Sequence, residues 1–331
     1  MKDSKNGLKI VLGLLVSLGF LYLAFRQLDF GQMKQAFAQA NYWLLLPTLL
    51  ILFLSHWLRS VRWQILLKPV QRIPSPTLFS ALLVGYAVND ILPAHLGELI
   101  RAYLIGRKRQ IAASSVLATI VVERIIDVLT LVFLMALTLV IYPFPGWVKK
   151  SGYLMFGFAL AIVVFLVLMK LYTDATMKFL RRLVKPFPHR IADKIEQLSR
   201  SFLDGLKPMV SRWDYAHLII LSLLIWTCYW GVLYLNFYTF NLIGNYQLDA
   251  VAGLVLLVIT TISVVVPSSP GYVGTYHWLC QVSLELFHVP RAVGLTYAIV
   301  VHAINFFPVF LVGLLLAWKE GIKLSQHIER M

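Results

Sequence analysis

Charge is scarce in this chain. Only 14% of its 331 residues are Asp, Glu, Lys or Arg, while 59% are hydrophobic. A soluble fold of this length cannot hide that much apolar surface from water, so the composition excludes an ordinary globular domain. The mean hydropathy of +0.76 marks an all-α polytopic membrane protein. Cysteine is nearly missing too. Cys228 and Cys280 both lie in apolar stretches without metal or redox spacing, and they read as packing residues. Enzyme signatures are equally thin. His95-Leu96-Gly97-Glu98 lacks the second histidine, four residues on, that a two-histidine metal helix needs. No Gly-x-Ser-x-Gly element or phosphate-loop lysine occurs, and neither a metal nor a cofactor is expected. Low-complexity segments and a separate soluble domain are also missing, so residues 1–331 read as one integral membrane domain.

The charge that is present leans one way, to a net +15. No basic segment carries a nucleic-acid-binding motif, so nucleic acid is not expected as a partner. Lys and Arg collect instead in cytoplasmic loops of membrane proteins. Six apolar stretches approach or exceed the ~20 residues a helix needs to span a bilayer. They are Leu8–Phe25, Tyr42–Leu58, Ala112–Ile141, Gly152–Tyr172, Ala216–Phe240 and Ala292–Trp318. The first has no small-residue cleavage site and reads as a retained helix, not a signal peptide. Trp57, Trp63, Trp147 and Trp213 lie near span ends and read as interface anchors.

Two further regions, Leu78–Arg109 and Ala250–Val289, are each split near the middle. Pro93 and Gly97 break the first; Pro267, Pro270, Gly271 and Gly274 break the second. Each reads as a pair of half-helices forming a re-entrant hairpin, which a bilayer tolerates only where protein or a polar cavity surrounds it. With the N-terminus inside and both hairpins returning to the side they left, 23 of the 30 Lys and Arg fall in cytoplasmic pieces and five in external ones. Both termini are then cytoplasmic in a plasma or inner membrane, as is the Thr173–Tyr215 segment, which reads as an amphipathic loop on anionic lipid. The two hairpins enter from opposite sides, an arrangement typical of carriers with inverted repeats.

Ionisable residues at membrane depth are expensive and usually paired or functional. Glu98 and Arg101 are three apart and share a helix face, with Asn89 and Asp90 just upstream. Glu123, Arg124 and Asp127 form a second cluster, and Glu123 lies roughly 16 Å along a helix starting near Ala112, close to the bilayer middle. Such a cluster either locks helices together or lines a path for a charged headgroup. In the second break, a helix starting near Thr275 would aim free N–H groups at a phosphate or carboxylate. Thr275, Tyr276 and His277 flank that point, although a tight turn serving only geometry and a packed histidine fit equally.

Three motifs occur in order: Leu92-Pro93-Ala94-His95-Leu96-Gly97-Glu98-Leu99-Ile100-Arg101, Val122-Glu123-Arg124-Ile125-Ile126-Asp127 and Val266-Pro267-Ser268-Ser269-Pro270-Gly271-Tyr272-Val273-Gly274-Thr275. Over nearly the whole chain this resembles the transmembrane flippase region of the lysylphosphatidylglycerol synthase/flippase family, in its stand-alone form. The resemblance implies two re-entrant elements around a lipid-binding cavity, transfer of an anionic or modified lipid between leaflets, and room for a homodimer. Substrate contacts are then expected from Asn89, His95, Glu98, Arg101, Glu123, Arg124, Asp127, Gly271, Gly274, Thr275, Tyr276 and His277. Two positions depart from the family pattern: His95, where Arg is common, and His277, where Glu is common. The soluble aminoacyl-transfer domain of bifunctional members is not expected, so aminoacylation is not either. The competing expectations are an intramembrane transferase using Glu98 or Asp127 as a general base, and a membrane scaffold for a separate lipid synthase.

Overall fold

The computed structural model describes residues 17–26, 28–92, 96–185, 189–206, 211–265 and 270–320, all helix, turn or connector. Pro93, His95 and Pro267, and the first half of the first apolar stretch, lie outside the described residues. Among the described residues, five helices are long and apolar enough to cross a bilayer. They are α3 (Leu45–Leu67, entered by a 3-10 turn at Tyr42–Leu44), α6 (Ala113–Ile141), α7 (Gly146–Leu171), α10 (Arg212–Thr239) and α14 (Arg291–Lys319). The described part of the first stretch is a helix over 17–25, α1. A short helix, α2 (Phe30–Gln39), capped by Asp29, follows it.

Both broken regions are helix pairs. In the first, α4 (Ser75–Ile91) and α5 (Leu96–Arg109) form an antiparallel hairpin. Its closed end is held by the Gly97 N–H donating to Asn89 Oδ1 at 2.7 Å, and its open end by Arg109 donating to Thr77 Oγ1 at 3.2 Å. Backbone touches backbone between the two: a Cβ on Gly97 would sit 1.9 Å from the Gly85 carbonyl oxygen. Only glycine allows that approach, so Gly97 sets the crossing as well as the break. In the second region, α12 (Ala250–Val265) is followed by the turn Pro270–Tyr272 and then α13 (Thr275–Glu285), which folds back on α14. Gly271, Tyr272 and Gly274 all have positive φ there, at 69°, 57° and 92°.

The Thr173–Tyr215 segment is more ordered than a loop. It contains α8 (Thr173–Val184) and α9 (His189–Gly205), which pack together and are bridged by Arg181 and Glu196 at 2.5 Å. The second helix docks on the start of α6, where Ser115 Oγ donates to the Ser201 carbonyl at 2.6 Å. A short α11 (Leu242–Tyr246) links α10 to α12. Buried apolar side chains gather in two main bodies. One is built on α3 to α6 around Trp63, Leu78 and Ile120; the other is on α6, α10 and α12 to α14 around Phe237, Ile259 and Tyr297. Along α6 the ionisable residues fall between Ile120 of the first and Leu131 of the second.

A buried arginine and carboxylate cluster

Three residues of α6 form the centre of the site. Glu123 and Asp127, four apart, lie on one face, and Arg124 sits beside them. Glu123 is completely buried. Its carboxylate accepts from Arg59 at 2.6 Å through one oxygen and from Arg101 at 3.0 Å through the other. Asp127 accepts from Arg59 at 2.7 Å and from Arg62 at 2.6 Å. Arg124 pairs with Glu98 at 2.6 Å. Helix α10 adds two neutral acceptors, the Tyr229 hydroxyl to Arg59 at 2.8 Å and Ser222 Oγ to Arg62 at 3.0 Å. Arg101 stacks on the face of Trp63, 4.2 Å from the ring centroid, and the Trp63 indole N–H donates to Thr119.

Charges taken this far from water need both partners and hydrogen bonds, because each lone ion carries a desolvation penalty of several kcal/mol. The cluster meets that need only in part. Four arginines face three carboxylates, leaving one positive charge in excess. Arg101 Nη1 and Nε, and the Nε atoms of Arg59 and Arg62, are buried and make no hydrogen bond within the protein. His56, one turn before Arg59, is also buried with neither ring nitrogen bonded. Buried donors without partners are rare in native folds, and each calls for a water, an ion or another acceptor to satisfy it.

Glu98, Arg101, Glu123, Arg124 and Asp127 thus converge as the sequence suggests. Tyr272 of the second break faces Arg124, Glu98 and Asp90, so the two breaks approach each other on this side. Asn89 is different: it closes the first hairpin. Gly271, Gly274, Thr275, Tyr276 and His277 form a separate patch. Gly271 packs against Phe306, Gly274 against Ser17 and Leu21, and His277 and Tyr276 against His302. Thr275 donates to the Tyr272 carbonyl, so its hydroxyl serves the turn.

Four residues of the site are not apparent from sequence. Arg59 and Arg62 follow an apolar run, and with Arg101 they count there as cytoplasmic charge. All three are buried and acid-bound, which leaves twenty basic residues in the pieces expected to be cytoplasmic against five in those expected to be external. Their i, i+3 spacing on one face of α3 is the available signal. Trp63, expected as an interface anchor, is fully buried and stacks on Arg101, whereas Trp57, Trp147 and Trp213 are exposed. Tyr229 gives no sequence signal at all.

A long-helix bundle with two broken helix pairs and a buried arginine–carboxylate core defines a multi-pass membrane protein built around an interior polar site. The chain belongs to the lysylphosphatidylglycerol synthase TM region family, whose model matches residues 10–313. It is 23% identical over 315 residues to a UPF0104 membrane protein of Methanothermobacter thermautotrophicus, covering 90% of this chain and 91% of that one. A UPF0104 membrane protein of Methanocaldococcus jannaschii is 25% identical over 247 residues, 71% of this chain and 72% of the relative. Glycosyltransferase AglD of Haloferax volcanii is 30% identical over 132 residues, 40% of this chain but 21% of AglD. No solved structure matches the chain.

Proposed function

We propose that this protein is a carrier that moves a lipid with an anionic headgroup between membrane leaflets. The observation that carries the reading is the excess positive charge of the buried cluster, together with the unbonded guanidinium N–H groups of Arg101, Arg59 and Arg62. A phosphate entering there would satisfy donors that the protein leaves open, and arginine is the side chain best shaped to hold it. Glu98, Glu123 and Asp127 keep the arginines oriented and limit the trap, so that release remains cheap. In this reading α4–α5 and α12–α13 are re-entrant hairpins of opposite orientation, both termini and the α8–α9 pair face the cytoplasm, and acyl chains stay in the lipid while the headgroup crosses.

The similarity to part of a glycosyltransferase supports one alternative, a transferase acting on a lipid-linked substrate. A general base needs a carboxylate free to take a proton. Glu123 and Asp127 are each held by two arginines and Glu98 by Arg124, which disfavours all three for that work.

The test is flipping of a fluorescent phosphatidylglycerol in liposomes, read by quenching from outside. Wild-type protein is expected to expose the inner-leaflet probe faster than empty liposomes. Arg101→Met, with unchanged folding, is expected to lose that acceleration for phosphatidylglycerol. A folded wild type no faster than empty liposomes refutes the carrier. A new lipid product formed from an added nucleotide sugar favours the transferase.

A further inference from the structure

The second break is held by two histidines that the arginine cluster does not use. His277 lies in the first turn of α13, and its Nδ1 accepts the Gly274 N–H at 3.3 Å. That acceptance fixes the tautomer: the His277 proton must be on Nε2. Nε2 lies 3.3 Å from His302 Nδ1, so His277 donates and His302 accepts. His302, in the middle of α14, also hydrogen-bonds the backbone of Gly271. The two rings therefore bridge both glycines of a turn in which Gly271, Tyr272 and Gly274 all have positive φ. His277 is buried and His302 partly buried, with ring centroids 4.7 Å apart.

Counting hydrogens shows what this chain tolerates. In the neutral pair, every contact from Gly274 through His277 to His302 joins one N–H to one lone pair. One added proton leaves the chain an acceptor short. On His277 Nδ1 it would confront the Gly274 N–H, and it would also place a cation at the positive end of the α13 dipole. On His302 Nδ1 it would confront the His277 N–H. Either way a contact holding the break is lost, and a second proton would put two cations side by side.

The groups facing the pair offer no compensating charge. Tyr276 of α13 stands 6.1 Å from the His277 ring and 5.2 Å from the His302 ring, and Phe306 of α14 stands 5.9 Å from His302. Cys280 of α13 lies near Tyr276. Helix α1 contributes Ser17 and Leu21 against Gly274. Asp90, Glu98 and Arg124 face Tyr272 across the turn. Among the described residues no ion pair includes either histidine.

We infer that the His277–His302 pair is a binding site for a single proton, and that its occupancy releases the Gly271–Gly274 turn from α14. The pair would let a proton gradient bias the position of the second helix break. This goes beyond the carrier reading and does not require it, since both readouts below are independent of lipid movement.

The test uses full-length protein in nanodiscs, with Cys228→Ser and Cys280→Ala and a single Val273→Cys reporter. Maleimide labelling is measured from pH 8.5 to 4.5 and normalised to a small free thiol at each pH. The normalised rate is expected to rise at least tenfold as pH falls. In His302→Gln the rise should shrink or move to lower pH, because the glutamine carbonyl accepts from His277 without ever becoming a cation and only His277 Nδ1 is left to take the proton. A flat wild-type profile, or an unchanged rise in His302→Gln, overturns the proposal. If His302→Gln does not fold, ring-labelled histidine NMR of the wild type decides. One proton shared by the two rings, with a common midpoint in that range, upholds the site. No titration there, or two independent titrations, overturns it.

Discussion

Glu123→Gln gives the sharpest test of how the cluster is held together. The carboxylate is wholly buried and takes hydrogen bonds from Arg59 at 2.6 Å and Arg101 at 3.0 Å, with Arg62 at 3.8 Å. Neutralising it leaves Arg101 with no carboxylate at all, and leaves Arg59 and Arg62 to share Asp127. Removing one partner of a buried pair costs about 3–5 kcal/mol, because the remaining charge stays out of water. The reverse change is milder. In Arg101→Met the thioether side chain can still pack on Trp63, and Glu123 keeps Arg59, so a loss of about 1–3 kcal/mol is expected. The double variant removes one charge of each sign and should be more stable than the sum of the two losses, by about 0.5–3 kcal/mol. Reversible unfolding in mixed micelles, run on wild type, both singles and the double, measures all four corners. Glu123→Gln as stable as wild type, or losses that add within about 0.5 kcal/mol, would refute the claim that these charges are coupled.

Other outcomes follow from local geometry. Gly97→Ala should destabilise by about 1–3 kcal/mol or more, since its methyl meets the Gly85 carbonyl at 1.9 Å. Gly157→Ala, with nothing within 4 Å, should be neutral or gain up to about 1 kcal/mol in the same unfolding assay. The α8–α9 bridge should persist in mild acid. Hydrogen bonds from Arg181 and Arg200 hold the Glu196 carboxyl down to about 2, so its contribution is complete above the ordinary carboxylate range and is lost only as pH falls through about 2. Spin labels at Lys178 and Asp193 should report the same distance at pH 7 and pH 4, and a broader one in 1 M salt, where exposed ion pairs are screened. Membrane-impermeant labelling of intact cells should modify a cysteine at Asn245 but not at Ser199. Strong labelling at Ser199 would overturn the orientation.

The sequence alone determines the class of this protein, because apolar runs of this length have no other solvent than a membrane. It also determines where the two helices break, since proline and glycine act through backbone geometry at their own positions. The acidic half of the site is legible for a similar reason: Glu98, Glu123 and Asp127 stand out within apolar surroundings. Their partners do not. Arg59 and Arg62 end a hydrophobic run and have the pattern of loop charge. Only folding carries them against acids more than sixty residues away, 2.6 Å from Glu123 and Asp127. Position in the chain likewise grouped His277 with the headgroup site, whereas packing joins it to His302 on α14. Local chemistry fixes the class of chain, the breaks and the candidate charges. Which charges pair, and which polar groups are left without partners, depends on contacts between helices distant in sequence, and the tertiary structure alone decides them.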